Sequence, residues 1–342
     1  MAPLRYRLDR IRSGLARSEP FAGTARLEIW PWLDVAEGTW LHVQGDGRHF
    51  ILIPGRREAL AWQKGRGVAS PLSLPVGPEG QGGSAGEWVL VGPLAGEPEP
   101  WPALAEKLGE RLPLAERLGS DLAMLHTEFA HRDATIAPSA AFRTGRLRPD
   151  FQVTARSHPD LAGLIEAVVK EMTGLGLALA LGRRAAELVL FASESPVWLG
   201  LDTAHRGDPA VDVSTLLADL LVRACTADGA ADAYVAAAAA LWKGYISTAG
   251  PDFGHSGMLQ GSLEARVCRQ IGVLVLASVD GEKARNGQAL LAGQDVVRAV
   301  GRSLLMRPFG RLEGVFTRVL HASRHFRERS GGSAREQAGG ER

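Results

Sequence analysis

Only two cysteines, Cys225 and Cys268, occur in the 342 residues. So few in so long a chain exclude a small disulfide-stapled scaffold. Both fall in apolar, helix-like stretches and are expected to be buried thiols. No apolar run reaches the roughly 18–20 residues needed to cross a bilayer, and the alanine-rich stretch 230–242 reads as a helix. The N-terminus, MAPLRYRLDRIRSGLARSEP, carries charge throughout and lacks the apolar core of a secretory signal. Charge of one sign is not in excess either: 39 basic residues face 38 acidic ones, for a net charge of +1. Nothing in that balance calls for nucleic acid or an anionic membrane as partner. No Walker A run and no Rossmann glycine fingerprint occurs in a strand–loop–helix context. The expectation is a cytoplasmic protein with no nucleic-acid and no membrane partner.

What is there divides into two textures. Residues 25–60 and 86–94 are rich in β-branched and aromatic residues bounded by Gly, Pro and Asp, and read as strands. The run GDG at 45–47 is a hairpin turn, because Gly takes positive φ without cost and Asp tolerates it. RREALAWQKGRG (56–67) reads as a short helix, and PVGPEGQGGSAGE (75–87) as a loop. Proline punctuates GPLAGEPEPWP (92–102), which reads as a linker. Beyond it the period changes. LPLAERLGSDLAMLHTEF has apolar residues at 112, 114, 118, 122, 125 and 129, a helical repeat. Further helices are expected near 160–181, 210–226, 230–249, 259–278, 287–306 and 310–326. Among them lies ELVLFASESPVWLGL (187–201), two short strands around a Ser/Pro turn. The polar, Gly-rich end is expected to be disordered. The predicted organisation is an N-terminal extension (1–24), a β-rich N-lobe (25–92), a hinge or linker (93–102), a helical C-lobe (103–327) and a disordered tail (328–342).

Four stretches carry a family likeness. They are GRHFILIPGRREAL (47–60), GEWVLVGPLAGEP (86–98), LAERLGSDLAMLHT (114–127) and LDTAHRGDPAVDVSTLLADLL (201–221). A fifth, LVLASVDGEKAR (274–285), adds to it. The most specific is GDPAVD placed directly before an amphipathic helix. In this order they resemble the aminoglycoside phosphotransferase and choline-kinase-like branch of the protein-kinase-like fold. The resemblance implies an α+β, bilobal architecture with a small β-rich N-lobe and a large, mainly helical C-lobe.

Phosphoryl transfer is mostly positioning and charge neutralisation. The resemblance therefore implies a lysine on the nucleotide phosphates, a catalytic loop of pattern H-G-D-x-x-x-x-N, and a metal-binding aspartate. At the lysine position stands Ile53, whose side chain cannot pair with a phosphate. The segment before it, IWPWLDVAEGTWLHV (29–43), has one Gly and three Trp, too few small residues for a phosphate cradle. Read as the catalytic loop, LVLFASESPVWLGL (188–201) holds no His, Asp or Asn. Aligned without a gap, Gly200 falls at the metal-binding aspartate and Asp202 at the glutamate two residues on, and one gap would move Asp202 into the metal position. Asp208, Pro209 and Asp212 match the family's structural motif. Asp208–Pro209 suits a turn and helix cap, and Asp212 falls in the first helical turn, where the family uses it to brace the loop. The sequence thus predicts a pseudokinase: a binding or regulatory module for an unidentified protein or small-molecule ligand, with no cofactor. The other reading is an active ATP- and Mg²⁺-dependent phosphotransferase using Asp202 with Glu194 or Lys64. His126 and His131, five apart, do not share a helix face and are not read as a zinc pair. The Arg/His-rich run 318–329 reads as a solvated helix face.

Overall fold

The computed structural model describes residues 8, 11–13, 15, 16, 21, 26–35, 38–54, 69–74, 86–94, 96–130, 142–182, 184, 185, 189–192, 195–198, 205–227, 229–250, 253, 262–281 and 293–339. Two compact units divide the chain. One comprises Met1–Trp101 with Ala186–Thr203, the other Pro102–Ala185 with Ala204–Arg342. The first carries antiparallel sheet and the second is mainly helical, so the α+β class read from the sequence is the class observed.

In the first unit, β1 (Leu27–Val35), β2 (Gly38–Gly45), β3 (Arg48–Pro54), β4 (Ala69–Leu74) and β5 (Gly86–Leu94) form one antiparallel sheet in the order β1-β2-β3-β5-β4. The expected turn joins β2 to β3. Asp46 at φ 49° and Gly47 at φ 75° are both left-handed, and Gly45 pairs with Arg48 across them. Two left-handed residues make the turn whose twist matches that of the strands. The period-2 pattern then sorts the side chains: Leu41, Val43, Phe50 and Leu52 are all buried in one cluster with Ile29 and Leu90. Ile11, Leu15 and Phe21 belong to the same cluster, and Phe21 meets Phe50 edge-on at 4.8 Å. Residues 1–24 were expected to be an extension outside the lobe. Three of them instead supply core, because a sheet face this apolar must be covered.

Pro98–Pro100 is a strand, β6, and not a plain linker. It pairs with β8 (Val189–Ala192), which pairs in turn with β9 (Ser195–Trp198), in the order β6-β8-β9. Prolines at 98 and 100 are compatible with an edge strand, where a missing N–H breaks no inner ladder. The expected hairpin is thus present, but it clusters with the first unit and not with the helical one. The short helix expected at 56–67 and most of the loop at 75–87 lie outside the described residues.

His42 and His49 share the sheet face opposite the cluster. Their rings are 3.0 Å apart, from Nε2 to Nδ1, and Trp30 meets His42 edge-on with centroids 4.4 Å apart. Burial, reinforced by the neighbouring His49, lowers the His42 pKa from 6.5 to about 4. The folded state therefore holds His42 neutral where the unfolded chain already binds a proton. Stability is full above pH 6.5 and falls as the pH drops toward 4. Between pH 7 and pH 5 the expected loss is roughly 1–2 kcal/mol. Urea midpoints measured at both values for the parent and for His42→Leu check this. An equal drop in both proteins would show that His42 does not cause it.

The second unit begins with α1 (Trp101–Leu108) and α2 (Leu112–Ala130). A π-helical run, Arg143–Gln152, passes into the short helix α3 (Val153–Ser157). Pro149 lies inside that run; it has no N–H for an α-helical ladder, and the wider i→i+5 register accommodates it. Next come α4 (Ala162–Gly174), β7 (Ala178–Ala180), β10 (His205–Gly207), α5 (Ala210–Thr226), α6 (Ala231–Ala249), α7 (Leu263–Asp280), α8 (Gln294–Met306) and α9 (Leu312–Gly339). The helix expected at 160–181 stops at Gly174, and Ala178–Ala180 forms a strand instead. The last helix runs to Gly339, past the expected boundary at 327, because SAREQ supplies good helix formers. Helix α7 is the central one: Val267, Ile271 and Val275 are wholly buried. Cys225 and Cys268 are buried free thiols, as expected, and burial pushes both up to about 12. No helix of the described residues is long and apolar enough to cross a membrane.

Candidate functional site

The most specific sequence motif sits at the end of a two-stranded ribbon. Strand β7 pairs antiparallel with β10, with Ala180 opposite His205. The ribbon delivers Leu181 and Gly182 at one strand's end and Asp208 just after the other. Pro209, at φ −60°, precedes the first residue of α5, and Asp208 Oδ1 accepts the Ala210 N–H at 3.0 Å. Asp208 therefore sits at the turn into the helix, as its Asp–Pro pair suggests.

Asp212, in the first turn of α5, is wholly buried and does not cap its own helix. Its Oδ2 accepts the Leu181 N–H at 2.7 Å and its Oδ1 the Gly182 N–H at 2.8 Å. A third donor is His126, whose Nε2 lies 3.2 Å from Oδ2. On its other side His126 Nδ1 lies 2.8 Å from the Tyr245 hydroxyl. Burial holds the Tyr245 proton on far above its usual range, with the Asp212 charge adding to the effect. The chain is satisfied when Tyr245 O–H donates to His126 Nδ1 and His126 Nε2–H donates to Asp212. The glycine of the pair is obligatory. Gly182 has φ +67°, and a Cβ there would stand 2.4 Å from the Phe142 ring, which itself lies over His205 at 4.4 Å.

Asp208 and Arg266 form a second buried unit, with both side chains fully enclosed. Arg266 donates Nε to Oδ2 at 3.0 Å and Nη2 to Oδ1 at 3.2 Å, and Gln270 Nε2 donates to Oδ2 at 3.2 Å. Burial outweighs the arginine and raises the Asp208 pKa. Every oxygen of Asp208 and Asp212 is thus occupied by N–H donors. A third cluster follows the loop: Asp150 accepts Arg146 Nη1 at 2.5 Å and Arg184 Nη2 at 2.7 Å, and Arg146 Nη2 donates to Thr215 at 2.6 Å.

These contacts do not fall on 188–201, the run that the sequence reading took as the catalytic loop. The bracing carboxylate reaches Leu181 and Gly182, and the run from there is LGRRAAEL (181–188). LGRRAAEL has eight residues, with Gly182 in second place. Arg183 is third and Leu188 eighth, and both lie outside the described residues. The apolar run LALAL directly before a glycine is the signal that sequence reasoning passed over. Ile53 lies in β3 opposite Val89. Lys64, Glu194, Gly200 and Asp202 lie outside the described residues, as does His131. Among the described residues, no three His, Cys, Asp or Glu side chains converge as a metal ion requires.

Neither a protein-family model nor a curated protein matches this sequence. Several solved structures are similar over most of its length. A choline/ethanolamine kinase family protein from Mesorhizobium loti is 16% identical, with a TM-score of 0.48, over 93% of this chain and 99% of its own. An aminoglycoside phosphotransferase from Alicyclobacillus acidocaldarius is 14% identical, with a TM-score of 0.44, over 87% and 93% of the two chains. A choline kinase from Cryptosporidium parvum is 10% identical, with a TM-score of 0.44, over 95% and 97%.

Proposed function

We propose that the chain is a kinase-like binding or regulatory protein that has lost phosphoryl transfer. The observation that carries this reading is the hydrogen bonding of Asp212 to Leu181 and Gly182. It supports LGRRAAEL as the counterpart of the catalytic loop, and that run has no aspartate. An arginine at the base position cannot accept a proton from an acceptor hydroxyl, and a leucine at the asparagine position cannot bind a metal. The donor set does not fit Mg²⁺ either. Asp208 and Asp212 already accept N–H donors on both oxygens, whereas Mg²⁺ takes carboxylate oxygens and water. Ile53 at the lysine position agrees with the same loss. A cytoplasmic location belongs to this reading, in keeping with two buried thiols.

Thermal unfolding with ATP, with and without Mg²⁺, tests it. A ligand that binds only the folded state raises the midpoint in a concentration-dependent way. The expected result is no Mg²⁺-dependent rise at millimolar ATP and no transfer of labelled γ-phosphate. A rise accompanied by transfer would overturn the proposal and favour the reading through Asp202, Glu194 and Lys64.

A further inference from the structure

A cavity of about 230 Å³ is walled by Arg184 and Ala185 together with the π-helical run, α5 and α7. Its polar wall is the Arg146–Asp150–Arg184 cluster, with side-chain exposures of 5%, 12% and 16%. Its other walls include Ala185, Ala218, Val222, Leu274 and Ala277. Asp150 spends one oxygen on Arg146 and the other on Arg184. Among the described residues, Arg184 makes this single hydrogen bond, through Nη2, although a guanidinium carries five N–H donors. Its carboxylate partner is already shared with a second arginine. Asp219, the other acid of the wall, is held by Arg223 at 2.8 Å.

The geometry points to a binding site for a small monocarboxylate with a compact apolar body, with Arg184 as the group that holds the carboxylate. The guanidinium fork matches a carboxylate's two oxygens. The remaining walls are mostly small alkyl groups, and the hydroxyls of Thr215 and Ser278 donate to the Val211 and Val275 carbonyls of their own helices, so these walls suit a short branched hydrocarbon. The volume equals roughly seven or eight waters at about 30 Å³ each, which limits the ligand to a few carbons. The site lies within one unit, and its Arg184 and Ala185 belong to LGRRAAEL without occupying its third or eighth position, so it goes beyond the proposed loss of phosphoryl transfer.

Isothermal titration of the full chain with sodium 4-methylpentanoate, at constant ionic strength, tests the assignment. 4-Methylpentan-1-ol and inorganic phosphate serve as comparison ligands. Saturable binding of the carboxylate is expected, with no binding of the alcohol and weaker binding of phosphate. Arg184→Gln is expected to weaken the carboxylate about tenfold or more, the scale of a lost charge-assisted pair. Ala218→Leu, which fills the cavity, is expected to abolish binding. The assignment is overturned by no saturable binding to the parent, by equal affinity for the alcohol, by preference for phosphate, or by unchanged affinity in Arg184→Gln. Because Arg184 is partly exposed, that variant remains informative if Ala218→Leu does not fold.

Discussion

Arg266→Ala is expected to cost the protein about 3–5 kcal/mol, the range for removing one partner of a buried ion pair. The size follows from what is left behind. Asp208 is wholly enclosed and its pKa is already raised by burial with the arginine present. Without Arg266 it keeps only the N–H donors of Ala210 and Gln270. The carboxyl must then stay charged without a counter-ion or take up a proton. The sign of the pH dependence follows. A carboxyl whose folded pKa lies above its unfolded value loses stability as pH rises through that window. The deficit of Arg266→Ala is therefore largest at neutral pH and shrinks as the solution is acidified toward the usual carboxylate range. Urea unfolding of Arg266→Ala, Asp208→Ala and the double variant measures it. The double variant is expected to lose clearly less than the sum of the single ones, since neither charge is then stranded. Additive losses would show that the two groups do not interact as the geometry requires.

The second large effect is expected from the smallest change, Gly119→Ala. Helices α2 and α6 cross with glycine against backbone. A Cβ on Gly119 would stand 1.9 Å from the Leu241 carbonyl oxygen, and one on Gly244 would stand 1.9 Å from that of Glu116. Helix propensity alone favours alanine over glycine by about 1 kcal/mol. The clash is with main chain, which cannot rotate away, so the helices must separate, and overpacking that strongly exceeds the usual 1–3 kcal/mol. Separation also strains the contact of Tyr245 with His126 and that of Ser120 with Thr248, which bridge the same two helices. Gly119→Ala and Gly244→Ala are each expected to lower stability by about 3 kcal/mol or more. Gly163→Ala in α4, where a Cβ meets nothing within 4 Å, is the control and should be neutral or slightly stabilising. If all three variants denature at the same urea concentration, the close crossing of α2 and α6 is wrong.

The hairpin turn at Asp46–Gly47, the long helices and the buried thiols follow from local rules. Turn chemistry, a period of 3.6 and apolar context are properties of neighbouring residues, so the sequence alone determines them. GDPAVD likewise announced a helix start with two acids ahead of and inside its first turn. Segments that take their form from distant partners were not legible in this way. Strands Ala178–Ala180 and His205–Gly207 have three residues each, too few to display a period, and exist because they pair with one another. Ile11, Leu15 and Phe21 lie in a charged segment that reads as an extension until the sheet face they cover is in place. The proline inside Arg143–Gln152 argues against a helix, and the π register that admits it has no sequence signal. The proposed identity of the loop rests on a contact of the same kind. Sequence could supply LGRRAAEL and Asp212, but only the folded chain brings a carboxylate thirty residues away onto two of its N–H groups, because hydrogen bonds form between neighbours in space and not along the chain.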